Sequence, residues 1–157
     1  MSERLTAERV IELLGLVPHP EEGGHFLETY RSGETIARDA LPDRYVAERS
    51  HCTQIYYLLT PTTFSAMHLV QSDEMFHHYL GDSVEQLRVH PDGSSEVVRI
   101  GADLESGERP QVLVPHGVWQ GARLAPGGSH GFALMGCTVS PGFEFEDYEM
   151  PTPGQLV

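Results

Sequence analysis

Cysteine is scarce in this chain: Cys52 and Cys137 are the only two, and they form no CxxC pair. Neither a zinc ribbon nor a disulfide framework is supported, and two buried thiols are expected. Basic residues are scarce as well. Ten Lys plus Arg stand against 23 Asp plus Glu, a formal net charge of −13, and the acidic residues are spread along the chain instead of forming a tail. Such a surface repels phosphate backbones and anionic membranes, so extended nucleic-acid binding is disfavoured. It leaves room for a local pocket in which a few arginines hold one small anion. No cationic start followed by an apolar run opens the sequence, and no apolar stretch reaches membrane-spanning length. A soluble, cytoplasmic protein with no membrane partner is expected.

Linkers, repeats and low-complexity segments are also missing, and 157 residues suit one domain over residues 1–157. What is present begins with TAERVIELLGL, where Val10, Ile11, Leu13 and Leu14 make an apolar stripe. Thr6 is placed to cap this short helix and Gly15 to end it. From Pro18 onward, short β-branched and aromatic runs alternate with turn residues, the pattern of an all-β fold. Strands are expected at 53–59, 64–70, 74–80, 84–90, 95–100, 111–114, 118–124, 130–140 and 143–150. Pro91-Asp92-Gly93 and Ala125-Pro126-Gly127-Gly128 are the clearest hairpin signals. One helix followed by so many short strands points to a jelly-roll β-barrel closed on itself.

Side chains alternate faces in a strand, which sorts the histidine-rich stretch MHLVQSDEMFHHYLGD. Ala66, His68 and Val70 share a face, as do Glu74, Phe76, His78 and Leu80, while Met75, His77 and Tyr79 point the other way. His68 facing the interior could be joined there by Glu74 across the turn at Gln71-Ser72-Asp73. An imidazole meeting a carboxylate is either the start of a divalent-metal site or a hydrogen-bonded polar pair. Phe76 beside Glu74 supplies the aromatic wall of a small-ligand cavity. A second group lies in PEEGGHFLETYRS: Glu21, Glu22, Gly23, Gly24, Tyr30 and Arg31, where Gly23-Gly24 permits close backbone approach and Tyr30 and Arg31 are candidate substrate contacts. An edge strand with a surface ion pair is the other reading of that segment.

Set beside known patterns, His68, Glu74 and Gly81 resemble the first motif of the cupin superfamily, G-x5-H-x-H-x3-4-E-x6-G, and PHGVWQ resembles the second, P-x-G-x2-H. HPEEGGHFLETYRS, HLVQSDEMFHHYLGD, VPHGVWQGA and GCTVSPGFEFEDYE together resemble the uncharacterised cupin family 5. That resemblance implies a cupin jelly roll with its pocket in the barrel mouth. Two expected histidines are replaced, by Val70 and Gln120. The remaining metal candidates are His68 and Glu74, with Gln120 through its carbonyl oxygen and His78 by parity, a mixed N and O set suiting zinc, manganese or nickel.

Cupin relatives suggest an enzyme acting on sugars or nucleotide sugars, an epimerase or isomerase, or else a non-catalytic binding, sensor or storage protein. Proton transfer needs only a placed base and acid: His68 or Glu74 as base, Tyr57 or Tyr79 as acid, with Arg31 holding an anionic group and Trp119 among the substrate contacts. Edge strands left over by a jelly roll of this size lead to the expectation of a homodimer.

Overall fold

Helix α1 (Ala7–Leu14) is capped by the Thr6 side chain, which accepts from Arg9 N, and ends at Gly15 in the left-handed conformation. The structure, a computed structural model, describes residues 4–156. Ala7 and Val10 of the helix, with Leu16 just beyond its end, pack against Leu58, Phe132 and Leu134. A fully buried Val or Leu contributes about 2 kcal/mol.

The strands are β1 (Val17–Pro18), β2 (His25–Arg31), β3 (Thr35–Ile36), β4 (Arg49–Ser50), β5 (Thr53–Leu59), β6 (Ser65–His68), β7 (Asp73–Gly81), β8 (Val84–Val89), β9 (Ser95–Ile100), β10 (Gln111–Val114), β11 (Trp119–Leu124) and β12 (Ala133–Ser140). They form a six-stranded sheet in the order β1-β2-β5-β12-β7-β10, a four-stranded sheet in the order β6-β11-β8-β9, and the small pair β3-β4. The two large sheets face each other as a jelly roll without a continuous ladder closing them into a barrel. Between them lies the main core, which includes Tyr57, Phe76, Val84, Ile100, Met135 and Cys137. Cys137 is buried, whereas Cys52 is only half-buried.

Two expectations about the chain path change. Residues 143–150 form no strand; Phe145–Asp147 is a single 3-10 turn, and Glu149 touches the sheet only through an isolated bridge to Leu69. His68 and Glu74 are not neighbours around a tight turn. β6 pairs with β11, placing His68 opposite Gln120, while β7 lies in the other sheet, placing Glu74 between Val114 and Val139. They reach the interior from opposite walls.

Candidate functional site

A cavity of about 340 Å³ opens beside this pair of walls. Phe26, Ile55, Val70, Val139, Phe143 and Phe145 give it apolar sides, and His19, Glu22, His68, Glu74 and Tyr148 give it a polar floor. Gly23 and Gly24 explain how Glu22 gets there. Both have positive φ, and a Cβ on Gly23 would strike the Phe64 carbonyl while one on Gly24 would press on that of Leu58. Only glycine lets this segment lie so close to the sheet. Glu22 then accepts a short hydrogen bond from Ser65 Oγ.

Hydrogen bonds fix the tautomers of the two floor histidines. His68 Nδ1 lies 2.7 Å from the Ala66 carbonyl, which can only accept, so Nδ1 carries a proton and Nε2 faces Glu22 Oε1 at 3.8 Å. His19 Nδ1 accepts from the backbone N–H of Glu21 and Glu22, so its proton sits on Nε2, 3.6 Å from Glu22 Oε2. The His68 ring stacks on Tyr148 at 5.0 Å.

Glu74 is held by a directional chain. Arg88 can only donate, and Nε and Nη2 both donate to Gln86 Oε1, at 3.0 and 2.9 Å. The Gln86 amide nitrogen therefore turns toward Gln120 Oε1 at 3.4 Å, and Gln120 Nε2 donates to Glu74 Oε1 at 2.8 Å. Burial, reinforced by the charge of Glu22 and opposed by His68 and Gln120, raises the Glu74 pKa to about 7. Burial also lowers the pKa of His19, with Glu22 opposing, and raises that of Tyr148.

The C-terminal segment closes one side. Phe143 N donates to Thr53 Oγ1 at 3.0 Å, and Leu69 and Glu149 exchange two backbone hydrogen bonds of 2.9 Å. Buried Arg49 binds Asp147 bidentately at 2.9 and 2.6 Å.

Of the residues singled out from the sequence, Glu22, Arg31, His68, Val70 and Glu74 line this cavity. Arg31 sits at the rim, committed to Glu28 and Glu144 at 2.8 Å each and to the Phe143 carbonyl at 3.0 Å, which leaves it poorly placed to hold an anionic substrate group. Tyr57 is in the core, its hydroxyl donating to the Gly23 carbonyl and its pKa raised by burial. Phe76 is likewise core. Tyr79 lies on the outer face, stacked with His77, and Tyr30 is exposed. His78 is diverted by the register shift between β7 and β12, and its Nε2 meets the Asp82 carbonyl at 3.0 Å. Trp119 is half-buried outside the cavity. His19 and Tyr148 were missed, because nothing local in their segments says that they converge on His68.

A divalent cation would need several of these donors turned toward one point. Gln120 shows its amide nitrogen to Glu74 and its carbonyl oxygen to Gln86, so it is no oxygen ligand beside Glu74. His78 points elsewhere, and among the described residues no three His, Cys, Asp or Glu side chains are grouped to hold a metal ion. The set expected from the sequence, His68, Glu74, Gln120 and His78, is not assembled as a ligand set.

A family described as "Cupin superfamily (DUF985)" has a sequence model that matches residues 8–151. The chain belongs to this cupin family. An uncharacterized protein of Saccharomyces cerevisiae, YML079W, is 33% identical over 140 residues, covering 85% of this cupin and 69% of the yeast protein. A hypothetical protein from Leishmania major has a solved structure that superposes with a TM-score of 0.86 at 34% identity, covering 97% of this cupin and 90% of that chain. Oxalate decarboxylase of Bacillus subtilis matches at a TM-score of 0.56 and 17% identity, over 86% of this cupin and 30% of that enzyme, a likeness of fold alone.

Proposed function

We propose that this cupin binds a small, uncharged, hydroxylated molecule of sugar-like character in the cavity and moves a proton on it, as an epimerase or isomerase does. The observation that carries the reading is Glu74: a buried carboxyl with a pKa of about 7, held by one N–H from Gln120, on the floor of a cavity whose walls are otherwise apolar. A group with its pKa near neutrality both gives and takes a proton. Across the cavity floor, His68 has its Nδ1 committed to the Ala66 carbonyl and presents Nε2 as the complementary proton-transfer group. Tyr57 and Tyr79 take no part, being core and outer-face residues. Glu22 and Glu74 on the floor, with Arg31 tied at the rim, favour a neutral ligand over a nucleotide sugar.

A Bacillus subtilis oxalate decarboxylase is described with Mn(II) centres. Among the described residues of this chain no three His, Cys, Asp or Glu side chains are grouped to hold a metal ion, so no step is assigned to zinc, manganese or nickel. The test is exposure to a panel of aldoses and ketoses in D2O, followed by NMR. Deuterium entering at the carbon beside the carbonyl, and lost in Glu74→Gln, is the expected result. Binding without exchange would give the cavity to a non-catalytic carrier or sensor instead, and absence of binding overturns both readings.

A further inference from the structure

The two buried arginines are partnered very differently. Arg49 has Asp147 at 2.6 Å and Glu146 at 3.0 Å. Arg88 is 7% exposed and forms no ion pair among the described residues. Acids are not in short supply, at 23 against 10 basic residues. A buried cation without a counter-charge is unfavourable, and a neutral amide oxygen offsets only part of that cost.

The hydrogen bonds show which part of the guanidinium is unused. Nε and Nη2 both donate to Gln86 Oε1, which fills one edge of the planar fork. The other edge, formed by Nη1 and the second N–H of Nη2, donates to nothing among the described residues. Among the described residues the enclosed side-chain nitrogen or oxygen without a partner is His25 Nδ1, so no Arg88 nitrogen is both enclosed and unpartnered. The cross-strand residue at this register is Glu96 on β9, but its Oε1 is engaged with His90 Nε2 at 2.9 Å and it stays beyond ion-pair distance of Arg88. Burial lowers the Arg88 pKa while the Glu96 charge raises it, and a guanidinium remains charged under either influence.

We propose that Arg88 is the centre of an anion-binding site, its free Nη1–Nη2 edge taking a small oxyanion, carboxylate or phosphate, through two parallel hydrogen bonds. That edge matches the spacing of two oxygens on such a group, the geometry in which arginine outperforms lysine. The site stands apart from the cavity, since neither Gln86, Arg88 nor Gln120 lines it. It nevertheless lies at the far end of the chain that ends on Glu74, so one hydrogen-bonded path joins the two sites. The proposal does not depend on proton transfer in the cavity.

All ten basic residues are arginine, so the Nε–H signals of 15N-labelled protein report every side-chain cation. Sodium acetate and, separately, inorganic phosphate are titrated at constant ionic strength against chloride. A saturable shift of the Arg88 Nε–H signal, with the exposed arginines unmoved, is expected for at least one anion, and the responding anion identifies the ligand class. Calorimetry should show affinity for that anion falling at least about tenfold in Arg88→Met. Glu96→Gln removes the nearest competing carboxylate and should leave binding intact or tighter. An Arg88 signal indifferent to both anions overturns the proposal, whatever the fate of the Met variant. So does loss of the response in Glu96→Gln.

Discussion

At the scale of single residues, Glu74 is where the physical forces are least balanced. Its neutral form is favoured by burial and by Glu22, and its charged form by His68 and by the N–H of Gln120. The net effect raises its pKa from 4.5 to about 7. Between those values the folded protein holds a proton that the unfolded chain has released. The resulting stabilisation is complete below about pH 4.5 and is lost as pH rises through about 7, a difference on the order of 3 kcal/mol. Glu74→Gln keeps the acceptor for Gln120 and removes the titration. Denaturant unfolding from about pH 5 to about pH 8 should therefore show wild-type stability falling relative to the variant. Parallel slopes would show that Glu74 is solvated. Strand alternation in the sequence was enough to turn His68 and Glu74 inward. It could not orient Gln120, because the direction of that amide is dictated by Arg88 through Gln86, residues brought together by strand pairing between β8 and β11.

At the scale of elements, the instructive case is the segment FEFEDYEM. Its alternation of aromatic and acidic residues has the period of a strand, yet residues 145–147 turn as a 3-10 helix. A distant interaction decides this: Arg49, fully enclosed, draws Asp147 inward and receives it bidentately, while also donating to the carbonyls of Ala47 and Glu48. Period alone carries no information about a partner 98 residues away. The consequence for the site is direct, because Phe143, Phe145 and Tyr148 of this segment form one side of the cavity. Arg49→Met should leave Asp147 buried and unpaired, destabilise the protein by about 3–5 kcal/mol, and expose residues 141–150 to limited proteolysis. Adding Asp147→Leu should restore most of that loss, since an apolar pair of similar bulk replaces the ion pair. Unfolding curves for the single and double variants check this, and a silent Arg49→Met would show that the backbone contacts to Thr53 and Leu69 suffice to hold the segment.

For the whole molecule, the order of strands decides what is inside and what is left uncovered. The helix, the all-β character and most strand positions were legible because each depends on local period and turn residues; the assignment of β6 and β7 to opposite sheets was not, because it is a property of pairing. The same pairing leaves apolar side chains facing outward. On the four-stranded sheet and the loop entering it, Phe64 is 61% exposed, Leu87 41% and Val97 60%. Phe64 adjoins a shallow concavity lined also by Leu87, Val97, Met67 and Ala122. Contiguous exposed apolar surface of this kind is uncommon on monomers. Among the described residues the outer edge of β9 is paired through one isolated bridge, Ile100 to Arg109, and a two-fold mate would cover both the patch and the rest of that edge. A homodimer is the expected state despite the charge of −13, because the charged residues around the patch include both Arg123 and Glu85. Light scattering at micromolar concentration should give twice the chain mass, and Val97→Glu together with Leu87→Glu should reduce it to the monomer while leaving the circular dichroism spectrum unchanged. A monomer mass for the wild-type protein would show that these side chains are tolerated in water and that the sheet edge needs no partner.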